Sequence, residues 1–105
     1  MVPLADREQI IRKIIAILKP IGVKRIALFG SFVGPNPSRA RDIDILVTLA
    51  PPGERRPIGL RWFVLDQELE SALGMPVDLI TVDSLNPTIR RLIESEIEVI
   101  YDEAG

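Results

Sequence analysis

The chain of 105 residues contains no cysteine and no histidine. Without cysteine there is no disulfide scaffold, thiol nucleophile, iron–sulfur cluster or Cys-ligated zinc. Without histidine there is no Ser-His-Asp triad, imidazole acid–base pair or His-ligated zinc. Any catalysis is left to carboxylates, hydroxyls, Lys/Arg and hard cations such as Mg²⁺. Aromatic residues are scarce at 5%, so the core must be built from Ile, Leu and Val. Neither sign of charge dominates: 13 Lys+Arg face 15 Asp+Glu, a net charge of −2. That balance argues against a general nucleic-acid coat protein but leaves room for local basic patches. No apolar run approaches the ~18–20 residues of a membrane span. The start MVPLADREQ has no signal-peptide character, so a soluble cytoplasmic protein is the expectation.

What is present reads as one small domain over 1–105, with 47% apolar residues, enough for an unstapled core. Apolar residues at Ile10, Ile11, Ile14, Ile15 and Leu18 predict a helix over 6–19, capped by Asp6 and stopped by Pro20 and Gly22. Residues 23–29 (VKRIALF) form a β-type run ended by Gly30-Ser31. GPNPSRA (34–40) is a Pro-punctuated loop. DIDILVTL (42–49) alternates as a strand, and APPGERRP (50–57) is a second loop. A helix is predicted over 58–73, with Leu65, Leu69, Ala72 and Leu73 on one side and Gly74 as its left-handed cap. VDLIT (77–81) is a third strand. Asn86-Pro87 starts a last helix to about residue 94, and EIEVIY (96–101) is a final strand. This order predicts an α/β (α+β) fold, a small sheet with helices packed against it.

Chemistry concentrates in Asp42-Ile43-Asp44. Residues i and i+2 of a strand point the same way, about 6.5–7 Å apart at Cα. Two carboxylates side by side on an apolar strand repel unless a cation lies between them. One reading is a divalent metal site of the kind used for phosphoryl chemistry; the other is a solvated strand start. Asp78 also interrupts an apolar strand and, if the two strands are neighbours, completes a cluster of three acids. Alone it reads equally as a solubilising charge on an edge strand. Gly30 lets a backbone approach phosphate closely, and the following N–H groups with Ser31 Oγ can cradle its oxygens. Arg39 and Arg41 flank the acidic pair, as triphosphate contacts, as contacts to an acidic partner or as solvated loop charges. Arg55-Arg56 and Arg90-Arg91 read as surface charge, and Trp62 and Phe63 as core or subunit interface. Tyr101 has no base nearby and is given no catalytic role.

The ordered set Gly30-Ser31, Asp42-Ile43-Asp44-Ile45-Leu46-Val47 and Pro76-Val77-Asp78-Leu79-Ile80-Thr81 resembles the minimal nucleotidyltransferase family. These are small members of the polymerase-β-like nucleotidyltransferase superfamily and the antitoxin half of HEPN/minimal-nucleotidyltransferase toxin–antitoxin pairs. The resemblance spans roughly residues 5–101, and LGMPVDLIT (73–81) and DSLNP (83–87) share its wording. It implies that Gly30 and Ser31 hold nucleotide phosphates; Arg39 or Arg41 stands near enough in sequence to replace the arginine that the family's loop carries. It implies Mg²⁺, two ions, on Asp42, Asp44 and Asp78, with Asp78 helping to deprotonate the attacking group. The implied reaction is transfer of AMP from ATP to a hydroxyl, a tyrosine, of a partner HEPN RNase toxin. The chain departs from the family wording in two places. It has GSFVGP (30–35) where GSxxRG is usual, and Arg41 where Ser often precedes the acidic pair. That departure keeps other readings beside catalysis: an antitoxin that masks its partner by binding alone, a transferase for a small molecule or RNA end, or a purely structural module.

Overall fold

The computed structural model describes residues 4–30 and 42–104. Its order is α1 (Leu4–Leu18), β1 (Val23–Phe29), β2 (Ile43–Leu49), α2 (Trp62–Leu73), β3 (Val77–Thr81), α3 (Pro87–Glu94) and β4 (Glu98–Asp102). The four strands form one mixed sheet in the order β3-β2-β1-β4. β1 pairs antiparallel with β2 and β4, while β2 and β3 run parallel. A parallel pair needs a crossover connection, and α2 supplies it. The predicted α/β (α+β) class is the one observed.

Alternation along the strands divides the side chains between two layers. Ile43, Ile45 and Val47 of β2 join Ile26, Leu28 and Val77 in one cluster, closed by Ile14 and Leu18 of α1 and Leu65 and Leu69 of α2. The opposite face holds a smaller cluster of Ala27, Leu46 and Val82, with Phe29, Ile80, Leu85, Ile93 and Ile97 packed against it. α3 lies over this second face and contributes no buried residue. The core is aliphatic throughout, as the scarcity of aromatics requires. No helix among the described residues is long and apolar enough to cross a membrane.

Several boundaries differ from the sequence expectation. α1 begins at Leu4, so Asp6 lies inside the helix and is not its cap; Leu4 and Ala5 are good helix formers and extend it upstream. After Leu18 the chain tightens into a 3-10 turn over Lys19–Ile21 around Pro20, and Gly22 closes it at φ +97°. The helix expected from 58 opens instead as a 3-10 turn over Gly59–Arg61, with Arg61 N–H donating to Ile58 O at 3.2 Å. Gly74 ends α2 as expected, with φ +72° and its N–H donating to Glu70 O. Asn86 caps α3, its side-chain oxygen accepting from Thr88 N–H at 2.8 Å. β4 starts at Glu98 rather than 96, because Glu96 N–H still donates to Ile93 O at the turn leaving α3.

Arg55 is a correction. It was expected to be surface charge, yet its Nε donates to Ala50 O at 2.8 Å and its side chain covers Gly22, where any Cβ would strike it. Arg90, by contrast, is a surface residue paired with Glu94 one turn away. Trp62 packs against the larger cluster, whereas Phe63 is 72% exposed and does not belong to the core.

Candidate active site

The register of the sheet brings together two of the residues singled out by sequence, Asp44 and Asp78, while Asp42 lies in the bend just before β2 and outside the strand expected from 42. Asp44 lies opposite Phe29 on one side and opposite Asp78 on the other. Neighbouring strands are about 4.8 Å apart, so Asp44 and Asp78 occupy adjacent positions on one face. Two hydrogen bonds hold this register at the start of β3. Ile43 N–H donates to Pro76 O at 2.9 Å, and Val77 N–H donates to Glu70 Oε1 at 3.0 Å. Glu70 therefore anchors β3 from α2. Sequence reasoning did not single it out, because a lone acid on an amphipathic helix carries no local signal of such a contact.

Alternation places Asp44 on the same face as Leu46, and Asp78 on the same face as Ile80; both apolar neighbours belong to the smaller cluster under α3. Asp44 is half-buried, whereas Asp42 and Asp78 are exposed. Burial raises the Asp44 carboxyl above its ordinary value of 3.8, and the nearby charges of Asp42 and then Asp78 raise it further. The three acids therefore sense one another, and Asp44 bears the cost of holding its charge.

Gly30 stands directly against this carboxylate. Its φ is +77°, and a Cβ there would collide with Asp44 Oδ2. Glycine is required twice over, for the left-handed backbone and for room beside the acid. Ser31, Arg39 and Arg41 lie outside the described residues. Tyr101 sits on β4 with Lys19 Nζ 5.8 Å from its ring centroid, away from the acids on β2 and β3.

Among the described residues no group of three or more acidic side chains is already drawn close enough to enclose a metal ion. The donors nevertheless suit a hard divalent cation. They are oxygen only, two of them come from adjacent strands in register, and their repulsion is of the kind a cation relieves. Chemically, the arrangement can gather positive charge beside a glycine that admits a phosphate group.

Comparison with known proteins identifies relatives of this chain. The family model described as "Nucleotidyltransferase domain" matches residues 10–100. A Methanocaldococcus jannaschii protein, provisionally named a protein adenylyltransferase, is 39% identical over 88% of this chain and 96% of its own length. Protein adenylyltransferase MntA of Thermococcus cleftensis is 36% identical over 72% of this chain and 73% of its own. Among solved structures, a toxin–antitoxin crystal structure with AMP-PNP superposes at a TM-score of 0.70 with 27% identity, covering 88% of this chain and 73% of that one. A tri-AMPylated HEPN toxin of Shewanella oneidensis in complex with its MNT antitoxin gives 0.69 and 26%, covering 91% and 72%.

Proposed function

Because this chain belongs to the nucleotidyltransferase domain family, we propose that it is a Mg²⁺-dependent protein adenylyltransferase acting as an antitoxin. It transfers AMP from ATP to a tyrosyl hydroxyl of a partner HEPN-type RNase. The observation that carries this reading is Asp44, opposite Asp78 in the parallel register, charged against two other acids and abutting a glycine without room for a side chain. The relatives named as adenylyltransferases and the antitoxin–toxin complexes support the choice of reaction and partner.

The acceptor oxygen attacks the α-phosphorus of ATP. An O–P bond forms, the bond from that phosphorus to the β-bridging oxygen breaks, and pyrophosphate leaves with the electron pair. Asp78, exposed at the end of the pair, receives the hydroxyl proton and passes it to water. Asp42 and Asp44 supply the negative charge that holds cations, and Gly30 with Ser31 seats the phosphates. Asp42, Asp44 and Asp78 would hold Mg²⁺, which would supply neutralisation of charge on the phosphate oxygens. Such a reaction needs positioning and charge stabilisation more than proton chemistry, which suits a chain lacking histidine.

Incubation with α-labelled ATP, Mg²⁺ and the partner protein tests the proposal. Label should appear on the partner, vanish with chelator and fall at least about a hundredfold in Asp44→Asn and Asp78→Asn. A tight complex that never acquires label at any metal concentration would overturn transfer in favour of masking by binding.

A further inference from the structure

Between α2 and β3 the chain turns through Gly74, Met75 and Pro76, and Glu70 bridges that turn twice. Its backbone carbonyl accepts from Gly74 N–H at 2.8 Å and closes the helix, while its Oε1 accepts from Val77 N–H at 3.0 Å. The peptide unit joining Pro76 to Val77 is thereby held on both sides. Glu70 takes its N–H, and its carbonyl accepts from Ile43 N–H at 2.9 Å. Asp78 directly follows Val77, and Asp44 directly follows Ile43. Resting on the transferase reading above, we infer that Glu70 is a positioning residue of the active site, which sets Asp78 against Asp44 through this peptide.

The need for such a clamp follows from the sheet. β2 is hydrogen-bonded to a strand on each side, whereas β3 is an edge strand paired only with β2. Asp78 is therefore on the less constrained strand of the two. Backbone groups of successive strand residues point to opposite sides. The Pro76 carbonyl turns toward β2, so Val77 N–H faces the outer edge, where β2 cannot pair it. A carboxylate from α2 takes that place, and a charged acceptor makes a stronger bond than a neutral one.

Glu70 is itself well seated. It follows Leu69, which is fully buried, and Leu73 one turn on packs against the larger cluster. The carboxylate thus transmits the position of a core-packed helix to the first residue of β3. Pro76 helps from the other side, because the residue before a proline is kept out of the helical region and the chain leaves α2 extended. A slip of one residue would turn Asp78 to the other face. Even a displacement of about 1 Å costs up to about a hundredfold in rate when reacting groups must be aligned. One hydrogen bond at the end of an edge strand adds modestly to global stability, so the effect on transfer should far exceed the effect on folding.

Amide hydrogen exchange on the metal-free protein and transfer assays with labelled ATP and the partner protein test this together. In Glu70→Ala the Val77 and Ile43 amides should exchange at least about tenfold faster, with Leu28 and Val47 in the central strands unchanged. Its kcat should fall about tenfold to a hundredfold while KM for the partner stays within about twofold. Glu70→Gln keeps an acceptor oxygen at the same reach and should restore both protection and rate to within about threefold of the wild type. Glu68→Gln, an exposed acid of the same helix paired with Arg61, should change neither. A Glu70→Ala protein with wild-type kcat overturns the proposal. Equal acceleration of exchange at Leu28 and Val47 overturns it in favour of a purely structural role. Loss of transfer in Glu70→Gln with Val77 still protected overturns it as well, since charge and not the bond would then matter. A wild type that never transfers AMP, with the exchange pattern as expected, overturns the transferase reading and leaves the clamp on the acids standing.

Discussion

The two faces of the sheet are built differently. Under α1 and α2, Ile14, Leu18, Ile26, Leu28, Ile43, Ile45, Val47, Leu65 and Leu69 are all fully buried. Under α3 the cover is thin: α3 buries nothing completely, and Leu92 is 67% exposed. Asp44 and Asp78 belong to this second face. A carboxylate sealed beneath the first layer would lose its hydration with nothing to replace it, at a cost of several kcal/mol (about) per ion. Beneath a partial cover, the acids keep access to water, cations and substrate. One face holds the fold, and the other leaves space for chemistry.

The largest effect that would sharpen this contrast is in the packed layer. Leu65→Ala removes a fully buried side chain between α2 and the sheet and should destabilise by about 2–5 kcal/mol, read by chemical denaturation. Next is Gly30→Ala, which forces a side chain into a left-handed backbone and against Asp44. A cost of about 1–3 kcal/mol is expected, together with loss of transfer because the acid is displaced. A full-activity Gly30→Ala enzyme would show that Asp44 does not need its present position.

Acidity gives a third, smaller test. The folded Asp44 carboxyl is raised above 3.8, so between that value and its folded pKa the folded state binds the proton more readily than the unfolded chain does. The acid therefore subtracts stability above its folded pKa, and this penalty fades as pH falls through the window. Asp44→Asn, in metal-free buffer, should match or exceed the wild type in stability at neutral pH, with its advantage shrinking on acidification. Adding Mg²⁺ should raise the melting temperature of the wild type and not that of the variant. A variant that unfolds at neutral pH would give Asp44 a structural role and blur the distinction between the faces. The smallest effect is expected for Leu92→Ser, within about 0.5 kcal/mol; a large loss there would mean that the α3 layer carries more of the fold than its exposure indicates.

Much of this was legible in the sequence because it is local. β1 and β3 follow directly from short β-type runs bounded by Gly and Pro, and the Asn86 cap from a side chain bonding two residues on. The starts of α1 and α2 were not legible at the residue level. At the head of α2, three residues form a 3-10 turn that apolar periodicity alone does not distinguish from α-helix. Arg55 read as surface charge because Gly22, which its side chain covers, is a tertiary neighbour, and its bond to Ala50 O depends on how the intervening loop folds back. Glu70 escaped notice for the same reason. Gly30 was recognised as a close-approach glycine, but the group that crowds it, Asp44, came from another strand.

The residue order by itself determined that Asp44 interrupts an apolar strand with a second acid two residues before it, and that no thiol or imidazole takes part; Asp42, expected inside that strand, lies in the bend just before β2. Only the tertiary structure decided that Asp78 stands opposite Asp44, and that Glu70 holds the strand there. Both depend on how β3 docks beside β2 after the α2 crossover. That register is set by long-range hydrogen bonds and by burial of one face, and a slip of one residue would have sent the acids to opposite sides.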